Sequence, residues 1–331
     1  MKILVLGGTV FLGRHVVEAA FQRGHDITVF HRGVHPPESP FPPVELIRGD
    51  RDGGVHALDD REWDAVIDTS GFVPRIVRQS AAALRGRVQH YTFVSSISVY
   101  REFVPGMDES APVLELDPPD SESVAEHYGA LKAACERVVE EYFPGQSLNV
   151  RPGLIVGPYD KTDRFTYWPA RVANGGQVLA PGHPNRPVQF IDSRDLAEWM
   201  VRMTEQGVTG TVQATGPDTS LTMAELLTAC RQATGSEARF VWMDDAFLKQ
   251  HEVGQWLELP LWIDETGPTA MLDVDITQAL QMGLKFRPLE TTILDTLAWD
   301  ANRDPALSRL AGLAPAREQE LLQAWTRRGG L

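Results

Sequence analysis

The sequence predicts an α/β fold built on a doubly wound parallel sheet, with a smaller C-terminal α+β lobe. Two observations carry this prediction. Short apolar runs alternate with helical patterns through the first half of the chain, and glycine or polar residues stand where several of these runs end. Alternation of this kind is typical of parallel strands joined by helices. The predicted strands comprise residues 2–6, 26–30, 44–48, 65–68, 90–95 and 148–151.

Length and composition suit one large domain or two modest ones. The chain has 331 residues, of which 43% are hydrophobic, and this is enough for a full core. We expect a first domain over residues 1–156, to which a later segment of about 188–205 returns. Residues 157–331 are expected to form mainly the second lobe.

Cysteine usage and the first residues indicate a cytoplasmic protein. Cys135 and Cys230 both fall in predicted helices, and so few cysteines fit a reducing compartment better than a disulfide scaffold. The apolar run that ends at Leu6 is far too short for a signal peptide or a membrane span. We therefore expect no membrane association.

The charge balance bears on the partners. The formal net charge is −14, from 31 basic and 45 acidic side chains, and the densest basic stretch is only RGR at residues 85–87. A field of this sign repels polyanions, so we expect a small-molecule partner and no nucleic acid. The Pro-rich stretch 35–43 predicts an exposed loop, because proline cannot continue a helix or a central strand. His31 and His35 therefore do not share a helix face, and no metal site is expected.

A glycine turn, GGTVFLG, joins the first predicted strand to the first predicted helix. Gly7 allows a tight turn, and Gly13 lets the helix approach the strand closely. The amides that open the helix lie at its positive end, which is a favoured binding site for a pyrophosphate. This arrangement predicts a Rossmann-type domain that binds a dinucleotide. The contacts predicted from the turn are Gly7, Thr9, Val10, Phe11, Leu12 and Gly13.

The stretch HYGALK places Tyr128 and Lys132 four residues apart, and Ser96 follows the strand before it. On a helix this spacing puts both side chains on one face. An ammonium beside a phenol favours the phenolate, so we predict that Tyr128 exchanges a proton with a substrate hydroxyl. Alternatively, Tyr128 is a core residue, because it belongs to an apolar stripe at helical spacing. That stripe comprises Val124, Tyr128, Leu131, Cys135, Val138 and Tyr142.

Taken together, these motifs resemble the extended short-chain dehydrogenase/reductases, the family of NAD-dependent epimerases and dehydratases. Further stretches recur in family order: GD at 49–50, SG at 70–71, RPGLIVGP at 151–158 and QFIDSRDLA at 189–197. The resemblance implies that Ser96, Tyr128 and Lys132 are catalytic. It also implies that Asp50 accepts a hydrogen bond from the adenine amino group. The other cofactor contacts expected with it are Arg51, Ser70, Gly71, Lys132, Pro152 and Ile155.

The glycine turn departs from the family pattern GxxGxxG, because Val10 stands at the middle glycine position. A β-branched residue resists a positive φ, so we expect the loop to take a different path over the phosphates. The chain also resembles the chloroplast stem-loop-binding proteins, atypical members of the superfamily that are associated with RNA and share a modified turn. The acidic charge and the retained Tyr128 and Lys132 argue against that role here.

The end of the second predicted strand bears on cofactor choice. An acidic residue there normally accepts hydrogen bonds from the adenosine ribose of NAD. This chain has His31 and Arg32 instead, and a guanidinium can pair with a 2′-phosphate. We therefore expect NADP as the preferred cofactor, with NAD as the alternative. Alternatively, Arg32 is a solvated arginine that opens a loop.

In the family that the chain resembles, the C-terminal lobe supplies the substrate pocket. The stretches DRFTYWP and ELPLWI predict an apolar, aromatic pocket, although ordinary core packing explains them equally well. Members that use nucleotide-linked sugars usually have an arginine where this chain has Val188, and Arg186 lies two residues earlier. The candidate substrate residues are Arg164, Phe165, Tyr167, Trp168, Arg186 and Trp262.

Two departures narrow the reaction. Members that dehydrate nucleotide sugars carry an acidic pair after the catalytic hydroxyl residue, where this chain has Ile97 and Ser98. Val188 weakens the case for nucleotide-sugar chemistry in general. The leading hypothesis is an NADP-linked oxidoreductase that transfers hydride to or from a secondary alcohol or ketone. The alternatives are a sugar or nucleotide-sugar epimerase that retains NAD, and a non-catalytic protein that senses the dinucleotide. The resemblance also implies a homodimer as a candidate assembly.

Overall fold

The computed structural model describes residues 1–304 and 306–329. In chain order, the strands are β1 (Lys2–Leu6), β2 (Asp26–His31), β3 (Glu45–Arg48), β4 (Ala65–Asp68), β5 (His90–Val94), β6 (Ser147–Pro152), β7 (Leu154–Val156), β8 (Gln177–Pro181), β9 (Phe190–Asp192), β10 (Gly210–Ala214) and β11 (Arg239–Met243). The α-helices are α1 (Phe11–Gln22), α2 (Pro74–Leu84), α3 (Val124–Tyr142), α4 (Tyr167–Ala173), α5 (Ser193–Glu205), α6 (Met223–Thr234), α7 (Asp245–Gln250), α8 (Thr277–Gln281), α9 (Leu289–Asp300) and α10 (Pro315–Arg327). Short 3₁₀ helices occupy Val55–Leu58, Ile97–Val99 and Thr269–Leu272.

A seven-stranded parallel sheet in the order β10-β6-β5-β4-β1-β2-β3 is the centre of the fold. The strand order changes direction beside β1, as in doubly wound sheets, and ligands of such sheets bind past the carboxyl ends of the strands. All six predicted strands are confirmed, each to within one residue at either end. Strand β10, which completes one edge of the sheet, was not predicted from the sequence.

Helices cover both faces of the sheet, and the alternation of side chains along β1 shows why. Leu4 belongs to a buried cluster that includes Val138 of α3. Val5 points to the opposite face, where it and Val17 of α1 both border Gly8. Strands that are buried on two faces need an apolar residue at every position, which is the run that β1 shows.

The chain divides into two compact units. The first comprises Met1–Ile155, Ser193–Gly216 and Val274–Lys285, and the second comprises Val156–Asp192, Pro217–Asp273 and the residues from Phe286 onward. The membership of residues 274–285 in the first unit was not predicted. Several hydrogen bonds hold this segment there; for example, Asp275 N donates to Met107 O at 3.1 Å, and Gln213 Nε2 donates to Asp275 O at 2.8 Å. Such contacts between distant segments leave no local pattern in the sequence.

The second unit has its own parallel pair, β8 with β11, and a helical layer in which α4 packs against α6 and α9. Asp163 lies buried in this unit. Its carboxylate accepts from Arg303 and Arg309, and from the backbone N of Leu310 at 2.9 Å. A buried carboxylate needs such partners, so this ion cluster fixes the C-terminal segment of the unit.

Candidate active site

The carboxyl ends of β1 and β4 are tied together beside the glycine turn. Thr69, just after β4, donates to Leu6 O from both its backbone N and its Oγ1, each at 3.1 Å. Gly7 N donates to Phe30 O of β2 at 3.0 Å. These bonds give the crevice past the strand ends a rigid rim.

The turn itself requires glycine at both ends. Gly7 has a φ of +90°, and a Cβ at this position would lie 2.6 Å from Ser70 Cβ. A Cβ at Gly13 would lie 2.4 Å from Gly7 O. The missing side chains leave a backbone cradle at the N-terminus of α1, and its shape and positive potential fit a pyrophosphate.

Val10 avoids the left-handed conformation that glycine favours. Its φ of −134° and ψ of 141° are extended, and it precedes α1 as the N-cap residue. Phe11 takes the positive φ, at 43°, which is rare for a bulky residue. Thr9 and Leu12 are buried, whereas Val10 and Phe11 are half-buried. The turn thus accommodates a β-branched residue by placing its left-handed residue at Phe11.

Tyr128 lies outside the core stripe to which its spacing assigned it. The helix α3 is kinked at His127, whose φ and ψ of −125° and 26° are not helical. Tyr128 follows the kink and is 36% exposed, with its ring centroid 6.4 Å from that of Phe72. Leu131, by contrast, is fully buried. The core interpretation is therefore wrong for Tyr128.

Lys132 is held by backbone carbonyls at the ends of two strands. Its Nζ donates to Gly71 O at 2.6 Å and to Val94 O at 2.5 Å, and only 2% of the residue is exposed. The ammonium lies 4.4 Å from the ring centroid of Phe93. Burial lowers the pKa of Lys132 to about 8. The amine is therefore still mostly protonated at neutral pH.

Ser96 and α3 meet through a glycine that the sequence analysis did not single out. Ser96 caps the 3₁₀ helix Ile97–Val99, and its Oγ accepts from Ser98 N at 3.1 Å. A Cβ at Gly129 would lie 1.9 Å from Ser98 O. Only glycine permits this approach, which brings the helix carrying Tyr128 and Lys132 against the segment carrying Ser96. The sequence does contain a signal that could have identified Gly129, namely a glycine inside the helical pattern HYGALK.

Arg51, predicted as a cofactor contact, lies in a buried network behind the strand ends. Its two terminal nitrogens donate to the two carboxylate oxygens of Asp68, each at 2.7 Å, and its Nε donates to Ser80 Oγ at 2.9 Å. Tyr91 Oη also donates to Asp68, at 2.8 Å. Burial and the Asp68 carboxylate raise the pKa of Tyr91 well above its usual value. This network supports the rim of the crevice through Ser70, to which Arg51 also donates at 3.2 Å.

The other predicted contacts in the first unit lie at the strand ends. Ser70 N donates to Asp68 Oδ1 at 3.0 Å, and Gly71 is buried with its carbonyl bound to Lys132. Pro152 is buried at the end of β6, and Ile155 is half-buried in β7. Asp68 was not predicted, although a carboxylate that ends a buried strand is a signal that could have identified it.

The carboxyl end of β2 carries the two basic residues that were predicted to bear on cofactor choice. His31 is half-buried at the end of this strand, and its Nδ1 is buried without a hydrogen-bond partner in the described residues. Burial, together with the charge of Arg48, lowers the pKa of His31. Arg32 is exposed. Asp50 is exposed as well, and its Oδ1 accepts from Asp52 N at 3.0 Å. A buried nitrogen and an exposed guanidinium suit a hydrogen-bonding anion at this end.

In the second unit, the aromatic substrate candidates are core residues. Phe165 and Trp168 are fully buried, and Tyr167 and Trp262 are almost so. The indole of Trp168 donates to Pro260 O at 2.8 Å, and that of Trp262 donates to Asp245 Oδ1 at 2.9 Å. The four aromatic side chains are therefore placed as the alternative interpretation, ordinary core packing, predicted.

The two arginine candidates of the second unit already have partners. Arg186 pairs with Asp245, at 2.6 Å and 3.2 Å, and donates to Ile263 O at 2.6 Å. Arg164 donates from Nε to Thr162 Oγ1 at 3.1 Å and lies over the ring of Trp256. The guanidinium of Arg186 is thus neutralised by a carboxylate within its own unit.

Residues 1–304 and 306–329 contain no group of three or more His, Cys, Asp or Glu side chains arranged to hold a metal ion. None of their helices combines the length and the apolar character needed to cross a membrane.

Comparison with known sequences gives a family for the chain. Residues 3–214 match the NAD dependent epimerase/dehydratase family. The chloroplast stem-loop binding protein of 41 kDa b from Arabidopsis thaliana is 26% identical over 216 residues, which cover 59% of this chain and 53% of that protein. The chain thus spans only about half of that relative. An epimerase family protein of Bos taurus is 24% identical over 255 residues, which cover 72% and 82%.

Comparison with solved structures confirms the predicted Rossmann-like fold. The UDP-N-acetylglucosamine 4-epimerase from Bacillus cereus superposes with a TM-score of 0.68 and 18% identity, covering 93% of this chain and 99% of that one. The UDP-glucose 4-epimerase from Thermus thermophilus, in complex with NAD, gives 0.66 and 18%, covering 92% and 100%. At such identities the likeness concerns the fold alone. The family match, however, covers most of the chain, so the protein belongs to the NAD dependent epimerase/dehydratase family.

Proposed function

We propose that the protein is an NADP-linked oxidoreductase that interconverts a secondary alcohol and its ketone. One observation carries the proposal: two side chains one helical turn apart have opposite environments. Tyr128 is exposed after the kink of α3, whereas Lys132 is buried and bonded to the strand ends. A tyrosine that served packing alone would be buried like Leu131.

The residues of the chain provide binding and proton transfer. When bound, the nicotinamide cofactor supplies or accepts the hydride. The glycine turn holds the pyrophosphate, and Asp50 accepts from the adenine amino group. During reduction, Tyr128 Oη gives its proton to the carbonyl oxygen of the ketone. During oxidation, the phenolate takes the proton from the hydroxyl of the alcohol. Exposure of the phenol lets a substrate reach it.

Lys132 and Ser96 support this proton transfer. The two carbonyls bound by Lys132 leave one N–H of its ammonium for the nicotinamide ribose. A positive charge one helical turn from a phenol favours the phenolate, which is the form that takes up the proton during oxidation. Ser96 Oγ accepts from Ser98 N, and its own hydrogen can therefore be donated to the substrate carbonyl.

A sugar epimerase that retains NAD is the second candidate, because the solved structures of similar fold include epimerases. The same three residues would serve it. A nucleotide-sugar substrate has less support, since Arg186 is paired with Asp245 and the usual arginine position is Val188. The candidates differ in net turnover. A purified epimerase carries bound dinucleotide and consumes none, whereas a reductase consumes added NADPH.

Tyr128→Phe tests the catalytic proposal. With NADPH and a panel of ketones, we expect kcat to fall about 10²–10⁴-fold, the usual contribution of a general acid. Tyr142→Phe is the matched control, because it removes a phenol hydroxyl from the same helix beside Arg78. This control should keep the activity of the wild-type protein. If Tyr128→Phe also keeps it, or if the wild type binds dinucleotide and turns over nothing, the non-catalytic sensing alternative replaces the proposal.

A further inference from the structure

A third basic residue, Arg48, stands beside His31 and Arg32. It ends β3, where it is the register partner of His31 in the parallel ladder. Gly49 N donates to His31 O at 3.0 Å, which fixes the end of β3 against the end of β2. We call this set of three residues, His31, Arg32 and Arg48, the β2–β3 corner.

Gly33 brings the Arg48 side chain close to the segment after β2. Its φ is +80°, and a Cβ at this position would lie 2.7 Å from Arg48 Nε and 3.2 Å from Cζ. The guanidinium therefore packs against the backbone of residue 33, next in sequence to Arg32. Arg32 follows the end of β2 and Arg48 ends β3, so the two arginines come from neighbouring strand ends.

Neither arginine of the corner is neutralised. Within the described parts of the chain, no carboxylate forms an ion pair with Arg32 or Arg48. Arg61, also on this side of the sheet, differs because its guanidinium binds Glu45 at 2.6 Å. In a chain with a net charge of −14, two unneutralised guanidiniums form a local positive field that attracts anions.

His31 adds an independent observation. Its Nδ1 is buried, and no atom of the described residues satisfies it. Buried polar atoms are nearly always hydrogen-bonded, so such a nitrogen is typical of a site that takes a polar ligand. Because burial and Arg48 lower the pKa of His31, its ring is neutral near pH 7 and can form a hydrogen bond without adding charge.

We infer that the β2–β3 corner is the subsite for the 2′-phosphate of NADP, and that Arg48 of β3 determines cofactor specificity together with Arg32. The inference rests on the proposed binding of a dinucleotide at the glycine turn. A phosphomonoester offers several anionic oxygens to two guanidiniums. The ribose hydroxyls of NAD would instead require a carboxylate acceptor, which these three residues do not provide.

Titration calorimetry with two fragments isolates the phosphate contribution. Adenosine 2′,5′-bisphosphate carries the 2′-phosphate, and 5′-AMP does not. We expect Arg48→Ala to weaken binding of the bisphosphate about ten-fold and binding of 5′-AMP less than about two-fold. Arg61→Ala is the matched control: it removes an equal charge from a nearby exposed arginine and should change neither affinity more than about two-fold. The affinity of Arg48→Lys for the bisphosphate should lie between those of the wild type and Arg48→Ala, because lysine keeps the charge but cannot form the two parallel hydrogen bonds of a guanidinium.

Two results would overturn the inference. One is an equal loss of affinity for both fragments in Arg48→Ala, or no loss for either. The other is tighter binding of NADH than of NADPH by the wild-type protein. Neither fragment undergoes turnover, so the outcome does not depend on the proposed reaction. An inactive Tyr128→Phe variant should still discriminate between the fragments, and an active enzyme could fail to do so.

Discussion

Gly129 shows how one residue can position the proposed proton donor, Tyr128, by letting its helix approach a neighbouring segment. Glycine inside a helix costs about 1 kcal/mol relative to alanine. The chain bears this cost at the first regular turn of α3 after the kink, where a Cβ would lie 1.9 Å from Ser98 O. The contact is with backbone, which cannot rotate away as a side chain does. Close approach of α3 to the segment that carries Ser96 therefore depends on the absence of a side chain at Gly129.

We predict that Gly129→Ala destabilises the protein by about 1–3 kcal/mol, the range for overpacking, although alanine is the better helix former. Displacement of α3 should also lower kcat for any ketone that the wild type reduces. Thermal unfolding and steady-state kinetics would measure the two effects.

Ala125→Ser, at an exposed position of the same helix, is the control for a small surface change and should alter stability by no more than about 0.5 kcal/mol. A melting temperature that rises in Gly129→Ala, as helix propensity alone would predict, would show that the contact with Ser98 can relax.

At the scale of elements, the strands were predictable because their signal is local. The runs in β1, β4 and β5 are apolar at nearly every position, as strands buried on both faces must be. The exposure of Tyr128 was not predictable in the same way. Helical spacing alone places it in line with Leu131, but the non-helical His127 and the contact at Gly129 turn the start of α3 away from that line.

The types of residue at the site were predictable from the sequence. Their hydrogen-bond partners were less predictable. The motif identified Lys132, but Gly71 O and Val94 O are backbone atoms, and a sequence does not display which carbonyls converge. For Arg51, the predicted contact itself differs from the one that the structure shows. Its position after Asp50 suggested a cofactor contact, whereas the structure pairs it with Asp68, a residue 17 positions away. Pairings of this kind arise from the sheet order, which local patterns do not encode.

The Pro-rich loop 35–43 is the element with the clearest dependence on a single side chain. Arg14, almost fully buried near the start of α1, donates to Glu38 O and Pro40 O and pairs with Glu18 at 2.8 Å. Because prolines lack an amide hydrogen, the loop can form few backbone bonds of its own. Arg14 therefore anchors the loop to the helix that opens the dinucleotide crevice.

We predict that Arg14→Ala increases cleavage after Glu38 by a glutamate-specific protease about ten-fold or more, since charge-assisted hydrogen bonds contribute about 1.5–3 kcal/mol each. Mass spectrometry of timed digests would identify the cut. Arg23→Ala is the control: it removes an arginine from just after the same helix, where an exposed pair with Glu205 should matter little. Equal cleavage of wild type and Arg14→Ala would show that the loop is anchored by other contacts.

At the scale of the whole molecule, the net charge of −14 argues against stem-loop binding, the role that the name of the Arabidopsis relative gives to that protein. Binding to a nucleic-acid backbone requires several lysines or arginines that replace condensed counterions. This chain carries 45 acidic against 31 basic side chains, and many exposed arginines, such as Arg61, Arg75 and Arg78, are paired with carboxylates. The two arginines of the β2–β3 corner are not paired in this way, but two guanidiniums can bind one phosphate group and not a helix backbone.

We therefore predict that a stem-loop RNA is not retained by the protein in a filter-binding assay at about 150 mM salt and up to about 10 μM protein, where non-specific binding by a basic protein becomes measurable. Any weak retention at lower salt through the β2–β3 corner should be abolished by adenosine 2′,5′-bisphosphate, because both ligands would compete for the same two guanidiniums. Retention that persists in the presence of the bisphosphate, and that weakens with salt as expected for several phosphate contacts, would contradict the charge argument. It would then place an RNA surface elsewhere on the chain.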